Sequence, residues 1–249
     1  LPEGLDDPLA LMPRSVILAF IIGCWSASIC VLLTVGLVAM LRLEIWPSWI
    51  MIAGLGVVSA LWVGATVLIT PAFALPQAVV RGFSVSSRLR RAARFLQVGW
   101  VVFAGMALLR IAVTNPVASA ANLMYLLQVL GFLTGMAGIV MLSILLQRLA
   151  EWTRDEEAGT AFNWGMWGLP IMTPLLFVDW PLFTANALLR FAVPLLWLCL
   201  ACTFPYGLLG LSKSVTLSIV HSFEHEHRKE GKAERDRKHQ EKLSRMLKS

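Results

Sequence analysis

Long uncharged stretches of apolar residues dominate the chain. They cover residues 15–41, 45–80, 111–147, 158–178 and 191–212, which contain no Asp, Glu, Lys or Arg. A helix needs about 20 apolar residues to cross a bilayer, and these stretches lack the alternation of polar and apolar residues found in transmembrane barrel strands. The pattern therefore predicts an all-α fold, a polytopic bundle of transmembrane helices.

Polar breaks divide the apolar stretches into six predicted spans. We place them at about residues 15–41, 49–75, 95–113, 123–149, 164–178 and 187–211. The second span is expected to end near Pro71 and Pro76, because a proline lacks the amide that continues a helix. The domain organisation predicted is an acidic, Pro-containing linker (1–14), a transmembrane domain (15–212) and a basic, charged tail (213–249).

The segment 164–178 is the shortest of these spans. Its 15 positions reach about 22 Å at the helical rise, which is less than the roughly 30 Å of the hydrocarbon core. Pro170 and Pro174 are expected to kink it. Two interpretations stay open, a tilted short helix that crosses the membrane and a re-entrant segment packed inside the bundle.

The start of the chain does not have the pattern of a cleavable signal peptide. Glu3, Asp6 and Asp7 precede the first apolar stretch, whose length exceeds that of a signal-peptide h-region. We therefore expect a retained span. Since the first residue is Leu1 instead of Met, we expect a processed or trimmed chain. A domain upstream of Leu1 is compatible with this expectation.

Basic residues set the expected orientation. They concentrate between Arg81 and Arg94, where there is no acidic residue, and in the tail, where ten Lys and Arg accompany six Asp and Glu. Four predicted spans separate these two segments, so both can lie on the cytoplasmic side, as the positive-inside rule requires. Both termini are then cytoplasmic, and the membrane is expected to be the plasma (inner) membrane. A re-entrant fifth segment would place the basic tail outside, which favours a full crossing.

The first basic segment is expected to form an interfacial helix. Val85, Leu89, Ala92 and Leu96 recur at helical spacing on its apolar side. Its candidate contacts with anionic lipid at the cytoplasmic face are Arg81, Arg88, Arg90, Arg91 and Arg94. The alternative is that these arginines only determine topology.

The tail also has more than one interpretation. It can dock onto an acidic partner, lie along anionic lipid, or remain a solvated helix with Glu and Lys/Arg pairs four residues apart. No aromatic stacking pattern supports nucleic-acid binding. The tail holds all four histidines, of which His221, His225 and His227 are clustered, but an exposed segment lacks the surroundings that hold metal ligands in place. We predict no metal site and no cofactor.

Small residues and cysteines within the spans indicate packing. One stripe comprises Gly56, Ala60 and Gly64, and a second comprises Gly131, Gly135 and Gly138; both are expected to let helices approach closely. Cys24, Cys30, Cys199 and Cys202 are interpreted as small buried apolar residues, because the C-x-x-C pair lies in the middle of a span.

A second set of polar residues is expected near the outer face. Its members are Arg42, Glu44, Arg110, Asp179 and Arg190. Charged residues beside spans are candidates for function in a membrane protein. Asp179 can pair with Arg110 or Arg190, or the arginines can bind a lipid phosphate or an anionic substrate. In the remaining alternative each arginine extends to the headgroups.

The sequence contains no G-x-S-x-G, H-E-x-x-H or G-x-x-x-x-G-K-[ST] motif and no pair of carboxylates within a span. The spans are poor in polar residues and the tail suits docking. The first hypothesis for function is a non-catalytic integral subunit, structural or scaffolding, of a larger membrane protein complex with other membrane-protein subunits as partners. The alternative is a transporter or channel subunit that uses the outer Arg and Asp residues. A lipid-modifying enzyme is the third.

Overall fold

A computed structural model describes residues 14–42, 46–70, 87–113, 118–153, 155–177 and 192–217 of the chain. Within these ranges the regular elements are helices and there is no β-strand, which confirms the all-α fold. The helices are α1 (Arg14–Arg42), α2 (Ser48–Ile69), α3 (Ser87–Leu96), α4 (Val98–Ala112), α5 (Ala118–Thr153), α6 (Glu156–Phe177) and α7 (Ala192–Leu217).

Five of the described helical segments are long and apolar enough to cross a membrane. They are Ser15–Leu41, Ser48–Ile69, Arg88–Ala112, Ala118–Glu151 and Ala192–Leu217. The third combines α3 and α4, because only Gln97 separates these two helices. These five helices are those expected of a multi-pass membrane protein.

Residues 164–177 of the predicted fifth span belong to α6, which begins eight residues earlier than expected. α6 has 22 residues, so it is about 33 Å long, and length no longer argues against a crossing. Its first turn holds Glu156 and Glu157, and both Pro170 and Pro174 lie within the helix. α6 is not among the five helices that are apolar enough to span.

Several helix ends differ from the predictions. α2 stops at Ile69 instead of Leu75, and Thr70 leaves the helical conformation with φ −111° and ψ 49°. The reason is Pro71, which disfavours a helical conformation in the residue before it. α5 has 36 residues instead of 27, and α7 continues to Leu217, past the predicted limit at 211.

Consecutive helices pack against each other. α1 contacts α2, α2 contacts α4, α4 contacts α5 and α5 contacts α6, while α7 contacts α6 where Gly207 meets Phe162. Because neighbours run in opposite directions, the bundle has two ends. We call one the Asp155 end, where α2 and α5 finish and α6 begins, and the other the Arg110 end, where α1 and α4 finish and α2 and α5 begin.

The two ends are packed differently. The largest fully buried side chains of the described residues lie at mid-height or in the half nearer the Asp155 end: Cys24, Thr66, Ile69, Thr70, Gln97, Leu142, Ser143, Leu146, Phe162, Phe204, Leu208 and Leu211. Large apolar side chains are exposed toward the Arg110 end, including Met40, Trp49, Leu109, Leu126 and Leu195. Other large apolar side chains are exposed at the Asp155 end, among them Phe95, Trp164 and Leu217, so the difference between the ends lies in the most deeply buried residues.

The two small-residue stripes behave differently. In α5, a Cβ atom added to Gly131 would lie 2.8 Å from the Phe103 amide nitrogen, and one added to Gly135 would lie 2.7 Å from the Trp100 ring. The predicted close approach at this stripe is confirmed. The α2 prediction is wrong for Gly64, which has no neighbour within 4 Å of an added Cβ among the described residues, and for Ala60, which is exposed.

Candidate functional site

Of the five residues expected near the outer face, the structure describes the side chain of Arg110. Arg110 Nη1 donates a hydrogen bond to Gln128 Oε1 over 2.8 Å, and the guanidinium lies 5.7 Å from the centre of the Tyr125 ring. Both neighbours are uncharged and lie on α5. Arg42 is the last residue of α1 at the same end of the bundle, but its side chain lies outside the described part of the chain, as do Glu44, Asp179 and Arg190.

The basic segment is helical where the structure describes it. α3 carries Arg88, which is exposed, and Arg90 and Arg91, each of which has an interaction partner. Its inward side holds the half-buried Leu89 and the fully buried Ala93, so α3 is amphipathic as expected. Arg81 lies outside the described ranges, and contact with anionic lipid stays a prediction.

Arg94 has a role that the sequence did not indicate. Its Nε donates to Thr70 Oγ1 over 2.7 Å, and its Nη2 donates to the backbone carbonyl of Thr70. The last carbonyls of a helix have no partner within the helix, and a cationic side chain near them also interacts favourably with the helix dipole. Arg94 therefore caps α2 and joins its end to α3.

A buried polar contact connects the turn after α3 to α2. Trp62 Nε1 donates to Gln97 Oε1 over 2.8 Å, and Gln97 is fully buried. The α5 backbone passes close by, since a Cβ atom added to Gly138 would lie 3.0 Å from the backbone nitrogen of Gln97. This side chain was not identified from sequence, because a single Gln next to an apolar run carries no signal of its partner.

Asp155 organises the opposite side of the bundle at the same end. Its Oδ1 accepts a hydrogen bond from the Ala158 amide over 3.0 Å, which is the contact of a helix N-cap, and its Oδ2 accepts one from Ser214 Oγ over 2.6 Å. A neighbouring contact joins Tyr206 OH, as donor, to Glu157 Oε2 over 2.8 Å. Asp155, Glu156 and Glu157 therefore start α6, and Asp155 and Glu157 hold α7 against it.

The cysteine prediction is correct for one pair only. Cys24 and Cys30 are buried in α1, whereas Cys199 and Cys202 are exposed. The second pair lies on the outward face of α7 and borders a surface groove of about 660 Å³ between α6 and α7. We call this the α6/α7 groove; its lining also includes Glu156, Glu157, Thr160, Trp164, Thr203 and Tyr206. A mid-span position did not imply burial, because each helix of a small bundle keeps one face outward.

The interior contains an apolar cavity of about 140 Å³. We call it the central cavity. Six helices contribute to its walls, and its aromatic lining consists of Trp62, Trp100, Phe103, Trp197 and Phe204. It lies at mid-height, next to the deeply buried residues of the Asp155 end. The sequence gave no indication of a cavity, because its walls come from separate apolar runs.

The described side chains offer little for metal chemistry. Among them, no three His, Cys, Asp or Glu residues are grouped closely enough to hold an ion, and the histidine cluster of the tail lies outside these ranges. What the described residues provide is an apolar interior, an exposed groove with both polar and apolar lining residues, and two sets of polar contacts at the Asp155 end.

Comparison with known proteins gives no match, whether to a protein-family model, a curated protein or a solved structure.

Proposed function

We propose that this protein is a non-catalytic integral subunit of a larger membrane protein complex, with a structural, assembly or scaffolding role. The observation that carries the proposal is the outward face of α6. Glu156, Thr160 and Asn163 are exposed along the first two turns, followed by Trp164 and Trp167 at 59% and 64% exposure. A helix that contacts only lipid does not ordinarily present such a face.

The opposite face of α6 is satisfied within the chain. Ala161 and Phe162 are buried, and Phe162 packs edge-on against Phe204 of α7 with 5.6 Å between ring centres. Asn163 follows Glu156 by seven residues, about 10 Å along the helix. The Thr160 hydroxyl already donates to the Glu156 carbonyl, but an uncovered amide such as that of Asn163 is costly in hydrocarbon, and transmembrane helices satisfy it by hydrogen bonding to other helices. A partner helix packed on this face of α6 would supply those bonds.

The test is the size of the assembly after gentle solubilisation from the native membrane. The wild-type protein is expected to migrate well above its own 27.5 kDa, and Asn163→Leu is expected to shift it toward the single chain by removing a polar contact with the partner. Asn122→Leu is the matched control, because Asn122 is also exposed but lies on α5 at the Arg110 end. A wild-type monomer that transports a solute in liposomes would overturn the proposal.

The second candidate is a transporter or channel subunit that uses Arg42, Glu44, Arg110, Asp179 and Arg190. Its support is Arg110, whose two partners among the described residues are neutral and leave the charge available to an anion. Replacing Arg110 and Arg190 with Gln should abolish flux in liposomes, while Arg148→Gln at the Asp155 end should not. Unchanged flux in the Arg110 and Arg190 variants would count against this candidate.

We further propose that the Asp155 end faces the cytoplasm of the plasma (inner) membrane, with both termini and the basic segments on that side. The support is the arginine content of α3, which belongs to this end of the bundle. A cysteine replacing Arg88, or one in the tail, should resist an impermeant thiol reagent applied to intact cells. A cysteine replacing Asn122 is the accessible control, and labelling at Arg88 or in the tail would reverse the orientation.

A further inference from the structure

The walls of the central cavity consist mostly of apolar side chains. Val31, Val35 and Val38 recur on one face of α1, and α2 contributes Leu55 and Val58. Across from them lie aromatic side chains in contact with one another: Trp62 is 5.9 Å from Phe204, and Trp100 is 6.3 Å from Phe103, between ring centres. An occupant of this space would therefore meet hydrocarbon and aromatic faces on every described side.

Most of the polar groups in the walls are already hydrogen-bonded. The hydroxyls of Thr34, Ser59 and Thr173 each donate to the carbonyl four residues earlier, over 2.7 to 2.8 Å. Trp62 Nε1 donates to Gln97, and Trp197 Nε1 donates to Thr173 Oγ1 over 3.1 Å. A polar ligand would find most donors in these walls already occupied, whereas a hydrocarbon leaves all of these bonds intact.

The volume of the cavity and its position among the helices further limit the kind of ligand that can bind there. Apolar cavities of about 150 Å³ exclude water and admit a molecule the size of benzene, which corresponds to roughly six carbon atoms. The cavity lies among apolar helices, and its floor is the dense layer that includes Leu146, Phe162 and Leu208. Its walls extend toward the Arg110 end as far as Val38 and Leu55.

The geometry points to a binding site for the terminal carbons of a lipid hydrocarbon chain, which enters between the helices from the Arg110 end and stops against Trp62 and Phe204. The bilayer supplies such chains at high local concentration, and only the chain terminus reaches mid-membrane depth. The site does not depend on the proposed subunit role, because its walls come from the chain itself.

The test uses phosphatidylcholine with a photoreactive diazirine on one acyl chain. The purified full chain is reconstituted with this lipid, irradiated and mapped by mass spectrometry. A diazirine at the chain terminus should label cavity residues such as Val35, Met136 and Leu169. A diazirine next to the ester carbonyl should label only outward-facing residues, because it remains near the headgroups.

Two substitutions should fill the central cavity with a larger side chain of the protein itself. Ala104 and Ala201 line the cavity and are 2% exposed, so Ala104→Leu and Ala201→Leu should each reduce cavity labelling at least fivefold while labelling at the outward-facing Leu18 and Leu61 stays unchanged. Ala60→Leu, on the exposed face of α2, is the matched control and should change nothing. Far-UV circular dichroism and a monodisperse elution profile verify that each variant is folded.

Three results would overturn the inference. The first is wild-type labelling confined to outward-facing residues. The second is cavity labelling that both Leu variants leave unaltered. The third is cavity labelling that the carbonyl-proximal probe gives as strongly as the terminal probe, since a chain end would then not be what the cavity holds. If one Leu variant fails to fold, Val58→Leu at a third wall position replaces it.

Discussion

Trp62 and Gln97 are 35 positions apart and share a buried hydrogen bond of 2.8 Å from the indole Nε1 to the amide Oε1. An indole nitrogen can only donate, so the bond fixes which atom of the Gln97 amide faces Trp62. The other amide atom, Gln97 Nε2, has no partner among the described residues. Trp62 also forms part of the central cavity, so the bond holds a cavity wall to the turn between α3 and α4.

Gln97→Leu should lower the free energy of unfolding. It leaves the Trp62 indole N–H without an acceptor inside the bundle, at a cost of about 1 to 3 kcal/mol. Thermal unfolding in detergent, followed by circular dichroism, measures the loss. Gln128→Leu is the control, because Gln128 bonds the exposed Arg110, and its effect should stay within about 0.5 kcal/mol.

The double variant Gln97→Leu with Trp62→Phe separates the bond from general packing. Replacing both partners by apolar groups removes the unsatisfied donor. The double variant should therefore lose less stability than the sum of the losses measured for Trp62→Phe and Gln97→Leu. Strictly additive losses would mean that the hydrogen bond contributes nothing to stability.

Gly99→Ala should lower the free energy of unfolding strongly, although it adds only one methyl group. The added Cβ would lie 2.5 Å from both the Gly131 carbonyl oxygen and the Gly135 amide nitrogen, and backbone atoms cannot rotate away. The α4 and α5 helices must then separate, and we expect a loss of about 1 to 3 kcal/mol.

Gly64→Ala is the matched substitution, because an added Cβ there meets no described atom within 4 Å. Alanine favours a helix over glycine by up to about 1 kcal/mol, so this variant should be as stable as the wild type or more stable. The comparison is made by thermal unfolding of both variants under the same conditions. Equal destabilisation by the two would contradict the close approach of α4 and α5.

Asp155→Ala should weaken the junction of α5, α6 and α7. It removes the acceptor for the Ala158 amide and the acceptor for Ser214 Oγ. Loss of an N-cap alone costs about 0.5 to 2 kcal/mol. Asp155→Asn is the matched control, because Asn caps helices as well as Asp does, and it should retain most of the stability. Limited proteolysis near Thr153 and thermal unfolding give independent measurements.

Apolar run length was sufficient to predict α1 and most of α5 and α7, because a helix is the regular structure that satisfies its own backbone in hydrocarbon. The start of α6 was missed. Asp155 followed by Glu156 and Glu157 is a helix-start pattern, with an acidic cap and an acidic first turn, but the predicted span was placed by hydropathy and begins only at about residue 164. The helix-start signal is present in the sequence, but the low hydropathy of residues 156–163 outweighed it in the prediction.

Contacts between helices could not be predicted in the same way. Arg94 was predicted as a candidate contact with anionic lipid, with topology determination as the alternative, because a basic residue on an amphipathic segment ordinarily faces the membrane surface. Its hydrogen-bond partner Thr70 is 24 positions earlier, and only the folded chain brings the end of α2 beside α3. The same applies to Trp62 and Gln97, and to the exposure of Gly64 against the burial of Gly135.

Arg94 and Arg88 should respond differently to the same substitution, because the structure gives them different surroundings. Arg94→Gln removes charged hydrogen bonds at the end of α2, so it should lower the free energy of unfolding by about 1 to 2 kcal/mol. Arg88 is exposed, so Arg88→Gln should leave unfolding unchanged and weaken binding of phosphatidylglycerol by about fivefold, the effect of about 1 kcal/mol per basic residue near an anionic surface. Thermal unfolding and native mass spectrometry of lipid-bound protein measure the two effects separately. If Arg94→Gln reduced lipid binding without affecting stability, Arg94 would be a lipid contact and its cap on α2 would be energetically irrelevant.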